Sequence, residues 1–299
     1  PTHQHPLLGL LRHGPYARPP GLAAVRIATI TVRGHQPRLF AFLKGLSGEH
    51  QPTDRKAYLP AYPGFETVFG LPLLPAEHAH VELLEGAAGT GADGHERVAE
   101  ALGRAMLELQ AARDRWDVVV FLLPSAWERW RESPDGKFKL HDRLKAAAAP
   151  LGCPVQMLRE DSALAYPHVC SLAWRLSIAV FAKAGGVPWR IAATTSDDTA
   201  YVGLAYAIRG GTADEFVTCC SQVFDSEGGG MEFVAYNIGA NRDLEHPHLT
   251  REEMRAVMPR AAQLYQHRHA GRMPAGLVVH SPPRWPAEVA DGVLAPRAA

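Results

Sequence analysis

Cysteine is scarce: the chain of 299 residues holds four, at positions 153, 170, 219 and 220, with no C-x-x-C pair and no histidine at finger spacing. That speaks against a disulfide framework and against a structural zinc site, and it fits a reducing compartment. No charged-then-apolar leader pattern opens the chain, so the expected location is the cytoplasm. Net charge is missing too, because 31 Lys plus Arg balance 31 Asp plus Glu. The bulk basic footprint of a nucleic-acid binder is therefore absent, and any such site has to be a local cluster. No long hydrophobic run is uninterrupted. The most apolar stretch, 169–189, contains Arg175, Lys183 and Gly185-Gly186 and reads as a buried helix, so no membrane partner is expected.

What is present is an ordinary globular composition, 46% apolar and 21% charged, long enough for about two domains. Residues 1–21, rich in Pro, Gly and His, read as a docking segment or loop. The run VRIATITV (25–32) is a strand. Leu39, Phe42, Leu43 and Leu46 follow helical spacing. Residues 65–74 read as a second strand region. Asp93 and Glu96 have capping-box spacing ahead of a helix that turns Val98, Leu102, Met106 and Leu109 inward. The apolar run 118–123 suits a strand buried on both faces of a parallel sheet. A helix over 140–149 and a strand over 155–158 complete an alternating α/β pattern, so 22–164 is expected to be a Rossmann-like open-sheet domain with its ligand beyond the carboxyl ends of the strands.

From 165 to 299 the pattern changes. A long helix (167–184) precedes three strand signals, 199–208, 215–224 and 231–237, with short Gly-rich connections that make an antiparallel meander. Thr250 and Glu253 cap a helix, which Pro259 should kink. The strand 276–280 follows. Meander, helix and strand is the order of an RNase H-like domain. That fold continues with further helices and a strand, so the domain is expected to be C-terminally incomplete, just as residues can precede Pro1.

One set of polar residues stands out. His141 and Lys145 share a helix face at i, i+4; Gln156 lies in the next strand; Lys183 ends the long helix. Two cationic donors, an amide and an imidazole suit a terminal phosphate, whose oxygens accept charge-assisted bonds. On spacing alone, a solvated helix face plus a lysine favouring a helix C-terminus is the simpler account.

The string H141-x3-K145, then G152-C-P-V-Q156, then K183-A-G-G-V-P-W189 resembles the MID–PIWI region of prokaryotic Argonautes, and 9–16 (GLLRHGPY) resembles the opening of the short ones. The resemblance implies that His141, Lys145, Gln156 and Lys183 grip the 5′ phosphate of a guide strand, with Mg²⁺ as a candidate cofactor there. It implies a MID domain over 22–164 and a PIWI domain over 165–299. It also implies an RNA guide, a single-stranded DNA target and, as partner, an APAZ-containing effector with a TIR, sirtuin-like or nuclease domain, in defence against plasmids or phage.

Slicing members of that family hold two Mg²⁺ ions with an RNase H-like carboxylate set. Here the first position, two residues after Gly203, is Ala205, and the strand ending at His280 runs into Ser281-Pro282-Pro283. None of these residues supplies a carboxylate. Asp197, Asp198, Asp225 and Glu227 read as solvated turn residues, with Glu232 as the one candidate remnant. The expectation is a guide-binding protein that does not cut and has no metal site of its own. The rivals are a nuclease with displaced carboxylates and a scaffold that binds no guide. Trp127 or Trp130 is a candidate for stacking on the first guide base.

Overall fold

The structure, a computed structural model, describes residues 5–54, 56–91, 93–136, 138–190, 198–209, 216–226, 228–238 and 249–281. The chain divides after Trp189 into two compact units. The first contains α1 (Pro6–His13), β1 (Val25–Val32), α2 (Gln36–Gly45), α3 (Phe65–Phe69), β2 (Leu73–Leu83), α4 (Gly94–Gln110), β3 (Val118–Leu123), α5 (Leu140–Ala148), β4 (Val155–Arg159) and α6 (Val169–Lys183). Its sheet is wholly parallel, in the order β2-β1-β3-β4.

Strand alternation sorts the core into two layers. Val118, Val120 and Leu122 of β3 face one way, with Leu39, Phe69, Val180 and Phe181; Val119, Phe121 and Leu123 face the other, with Val98, Leu102, Leu140 and Leu144. All six β3 residues are buried, as a central strand covered by helices on both sides must be. Helix α6 belongs to the first layer: its Cys170, Ala173, Trp174 and Leu176 pack there, so the compact unit extends past the boundary drawn at 164/165.

Three local readings change. Residues 65–74 do not form one strand. Phe65, Val68 and Phe69 are all buried on one side of a helical turn, Gly70 ends that turn at φ 71°, and β2 starts only at Leu73. Asp93 precedes α4 without a side-chain capping bond, lying instead 3.9 Å from Arg97. Residues 5–21 are folded into the first unit. Leu7 and Leu10 of α1 are buried in the core, and Ala17 bridges Val187 through backbone bonds in both directions.

The second unit contains β5 (Thr199–Arg209), β6 (Phe216–Phe224), β7 (Gly230–Ile238), α7 (Arg251–Arg268) and β8 (Gly276–His280). Strands β5, β6 and β7 are an antiparallel meander and β8 joins β5 in parallel, giving the order β7-β6-β5-β8. This is the RNase H-like arrangement read from the sequence. The Thr250–Glu253 capping box is made in both directions. Helix α7 runs through Pro259 and sets Met254, Val257, Met258, Ala261 and Tyr265 against Val202 and Leu204.

Candidate functional site

Strand β4 is an edge of the first sheet, so helices from both layers can reach around it. Helix α5 packs on one layer through Leu140 and Leu144, and α6 on the other through Val180 and Phe181. The polar groups left over at their exposed borders meet beside β4. Lys183, the last residue of α6, donates from Nζ to Oε1 of Gln156 at 2.9 Å. The amide is turned for this by its own Nε2, which donates to the Met157 carbonyl at 3.0 Å. Lys145 lies near enough that its charge, added to the burial of Lys183, pulls the Lys183 ammonium below the ordinary lysine range. Among the described residues neither lysine has a carboxylate within ion-pair distance.

A lysine that merely favours a helix C-terminus sits in solvent. Lys183 is half-buried beside a second cation, and both conditions disfavour its charged form. His141 stands one turn ahead of Lys145 on the exposed face of α5, where its Nδ1 lies 3.2 Å from Asp142 Oδ1; no hydrogen bond joins it to the other three. Mg²⁺ does not fit this cluster. The donors are two ammonium groups and an amide whose oxygen is engaged, whereas that ion takes oxygen ligands, carboxylates first.

The position of the cluster differs from the expected crevice beyond the carboxyl ends. Gln156 is the second residue of β4, so the cluster lies along the open edge of the sheet. The carboxyl ends themselves are tied by Glu160. This carboxylate, 6% exposed, accepts from the Ser125 N–H at 2.9 Å and the Ser125 hydroxyl at 3.1 Å, and pairs with Arg38 and with His35 Nδ1 at 3.3 Å. These side chains follow three different strands, and sequence reasoning missed them because no spacing rule links them.

The two candidate stacking tryptophans are occupied. Trp127 is 3% exposed in the core, with Nε1 reaching the Glu85 carbonyl at 3.3 Å. The Trp130 ring lies flush against Gly94, with the Arg129 guanidinium 4.6 Å from its centre.

In the second unit Ala205 is exposed on β5, opposite Cys220, while Val202 and Leu204 point to α7. The Ser281 hydroxyl oxygen is buried. Asp225 closes the β6–β7 turn by accepting from the Gly229 N–H at 2.6 Å, and Asp198 lies 4.0 Å from Arg272. Glu232 is on β7 in register with Val223. Asp197, Glu227, Pro282 and Pro283 lie outside the described residues. Among the described residues no group of three or more His, Cys, Asp or Glu is placed to hold a metal ion, and no helix is long and apolar enough to cross a membrane.

A Rossmann-like unit followed in the same chain by an RNase H-like unit is an architecture of the Argonaute MID–PIWI type. Solved structures agree at the level of fold. The chain matches the A. aeolicus Argonaute with a TM-score of 0.53 at 15% identity, over 95% of this chain and 33% of that one. It matches the Marinitoga piezophila Argonaute in complex with 5′ OH guide RNA with a TM-score of 0.56 at 9% identity, over 96% of this chain and 39% of that one. For the same protein with 5′ OH guide RNA and target DNA the TM-score is 0.53 at 9% identity, over 97% and 40%. The chain thus spans well under half the length of these neighbours. No family model and no curated protein sequence matches it.

Proposed function

We propose that the chain acts as a short, non-cutting Argonaute: it holds the 5′-phosphorylated end of an RNA guide, pairs the guide with single-stranded DNA, and passes target recognition to an effector on another polypeptide. The observation that carries the reading is the half-buried Lys183, hydrogen-bonded to Gln156 and crowded by Lys145, with no carboxylate among the described residues to neutralise either lysine. A phosphate monoester supplies the missing charge and accepts from both ammonium groups. His141 reaches it by releasing Asp142. The second lysine does the work that a bound cation would do.

The Marinitoga piezophila Argonaute holds guide RNA in one of these structures and guide RNA with target DNA in the other, which supports guide-directed binding on this fold. Their guides carry a 5′ hydroxyl, and the lysine pair is the reason to expect a 5′ phosphate here. Ala205, Ser281 and Pro282 occupy positions where slicing relatives carry carboxylates or their neighbours, so the chain itself is proposed not to be an enzyme. Sequence discrimination then rests on base pairing, with the protein reading the guide end and the backbone. An APAZ-containing partner with a TIR, sirtuin-like or nuclease domain would supply the output in plasmid or phage defence. The deciding experiment is a binding titration with paired guides that differ only at the 5′ end. The reading requires the phosphorylated guide to bind more tightly, and the preference to vanish in the Lys145→Ala/Lys183→Ala double variant.

A further inference from the structure

A cavity of about 460 Å³ lies at the edge of the first sheet opposite to the lysine pair, between α2 and the first residues of β2. Helix α2 and the in-register start of β2 form its walls. Helix α2 and the second residue beyond it present Phe40, Lys44 and Ser47 at i, i+4 and i+7, a stripe separate from the core-facing Leu39, Leu43 and Leu46. Beyond its lining residues strand β2 leaves register. Ile27 of β1 pairs with Pro75, yet Thr29, two residues on, pairs with His80, five residues on, so three residues of β2 loop out. His78 in this bulge is held at φ 55°, a left-handed conformation that costs a non-glycine residue energy. The lining residues Leu73, Leu74 and Pro75 stand ahead of the bulge, in register with β1, and the cavity runs from buried Ile27 and Leu43 to exposed Leu74.

The lining is apolar except for Lys44 and Ser47, which stand together along one wall. Lys44 has no carboxylate within ion-pair distance among the described residues. The volume falls within the range of small-ligand sites, about 300–1,000 Å³, and a few convergent polar groups on an apolar wall is their usual make-up. A protein strand is a poorer occupant, since the bulge breaks the row of backbone groups that strand addition needs. We propose that this cavity binds an amphipathic anion, a carboxylate head against Lys44 and Ser47 with an acyl chain over Ile27, Phe40 and Leu43.

Isothermal titration of the 299-residue chain with dodecanoate, below its micellar concentration, tests this. Saturable binding at one site is expected, with dodecan-1-ol at least about tenfold weaker because it forgoes the charge-assisted bond. Lys44→Glu should weaken dodecanoate about tenfold or more, and Ser47→Trp should fill the cavity and abolish binding. Both positions are exposed, so both variants should melt like the parent chain; if Ser47→Trp fails to fold, Lys44→Glu decides alone. Absence of saturable binding, equal affinity for the alcohol, or unchanged affinity in Lys44→Glu would overturn the assignment, including the case where only a protein partner covers the site.

Discussion

Gly186 packs flush on the ring of Phe181: a β-carbon there would stand 2.5 Å from Cζ. Phe181 cannot retreat, being fully buried and stacked on Phe69 with ring centres 4.3 Å apart. The neighbouring Gly185 ends α6 at φ 95°, a conformation open to glycine. The two glycines after Lys183 thus have separate tasks, one in the turn and one against a ring. Gly186→Ala should cost about 1–3 kcal/mol by overpacking, read as a lowered midpoint in urea denaturation. An unchanged midpoint would mean that the ring has room to move.

Lys145→Ala and Lys183→Ala should each weaken a 5′-phosphorylated guide roughly ten- to a hundredfold, the weight of one hydrogen bond to a charged group, while a 5′-hydroxyl guide responds little. The two losses should not add, because removing one lysine relieves the repulsion on the other. Fluorescence anisotropy with both guides measures this directly.

The same lysine links stability to pH. Burial, then the charge of Lys145, lowers the pKa of Lys183 in the folded chain. The unfolded chain therefore holds the proton to higher pH, and stability of the guide-free protein should rise as pH climbs from the folded value towards the ordinary lysine value. Guide affinity should fall over the same range as the ammonium is lost. Lys183→Met should raise the melting temperature of the guide-free protein at neutral pH and flatten its alkaline rise while abolishing the 5′-phosphate preference. A less stable Met variant would contradict the assignment of Lys183 as a functional group held at a cost.

Glu160 works with the opposite sign. Burial alone would raise its pKa, but the Ser125 N–H and hydroxyl, with His35 and Arg38, hold it below the usual carboxylate range. Its contribution is present above the unfolded carboxyl pKa and is lost as pH falls through the folded value. Glu160→Gln should therefore destabilise the chain by about 1.5–3 kcal/mol at neutral pH, with the gap closing in acid. A constant difference from pH 7 to pH 3 would show that the carboxylate charge is not what matters.

Guide-loaded protein should bind a complementary DNA strand and leave it intact in Mg²⁺ or Mn²⁺. Ala205→Asp alone should not start cutting, since two-metal chemistry needs several carboxylates together. Co-expression with the neighbouring open reading frame should yield a complex whose effector activity, NAD loss for a TIR or sirtuin-like partner, responds to target. Cleavage opposite the middle of the guide would refute the first expectation, and a mixture indifferent to target the second.

The elements legible in the sequence are those whose pattern has one physical solution. The unbroken run Val118–Leu123 fits a central parallel strand, and the Thr250–Glu253 pair with its apolar stripe fits a capped helix. Phe65–Phe69 misled because its apolar residues satisfy a helical turn as well as a strand, and Gly70 settles the matter only through its φ. The lysine site was half legible. His141 and Lys145 share a helix by spacing, but the bond between Lys183 and Gln156 joins residues 27 apart and depends on β4 being an edge. The burial of Trp127 is not legible from its loop position, which says nothing about the hydrophobic layer beneath it.

The bridge between Ala17 and Val187 has a mechanical consequence. Three backbone hydrogen bonds fasten Tyr16 and Ala17 to Val187 and Pro188, immediately before the chain leaves the first unit at Trp189. Tension arriving along the chain from beyond that point is borne first by this clasp, and only after its failure by the end of α6. The opening segment thus acts as a strain relief for the lysine site, isolating the register of Lys183 from whatever pulls on the connecting chain.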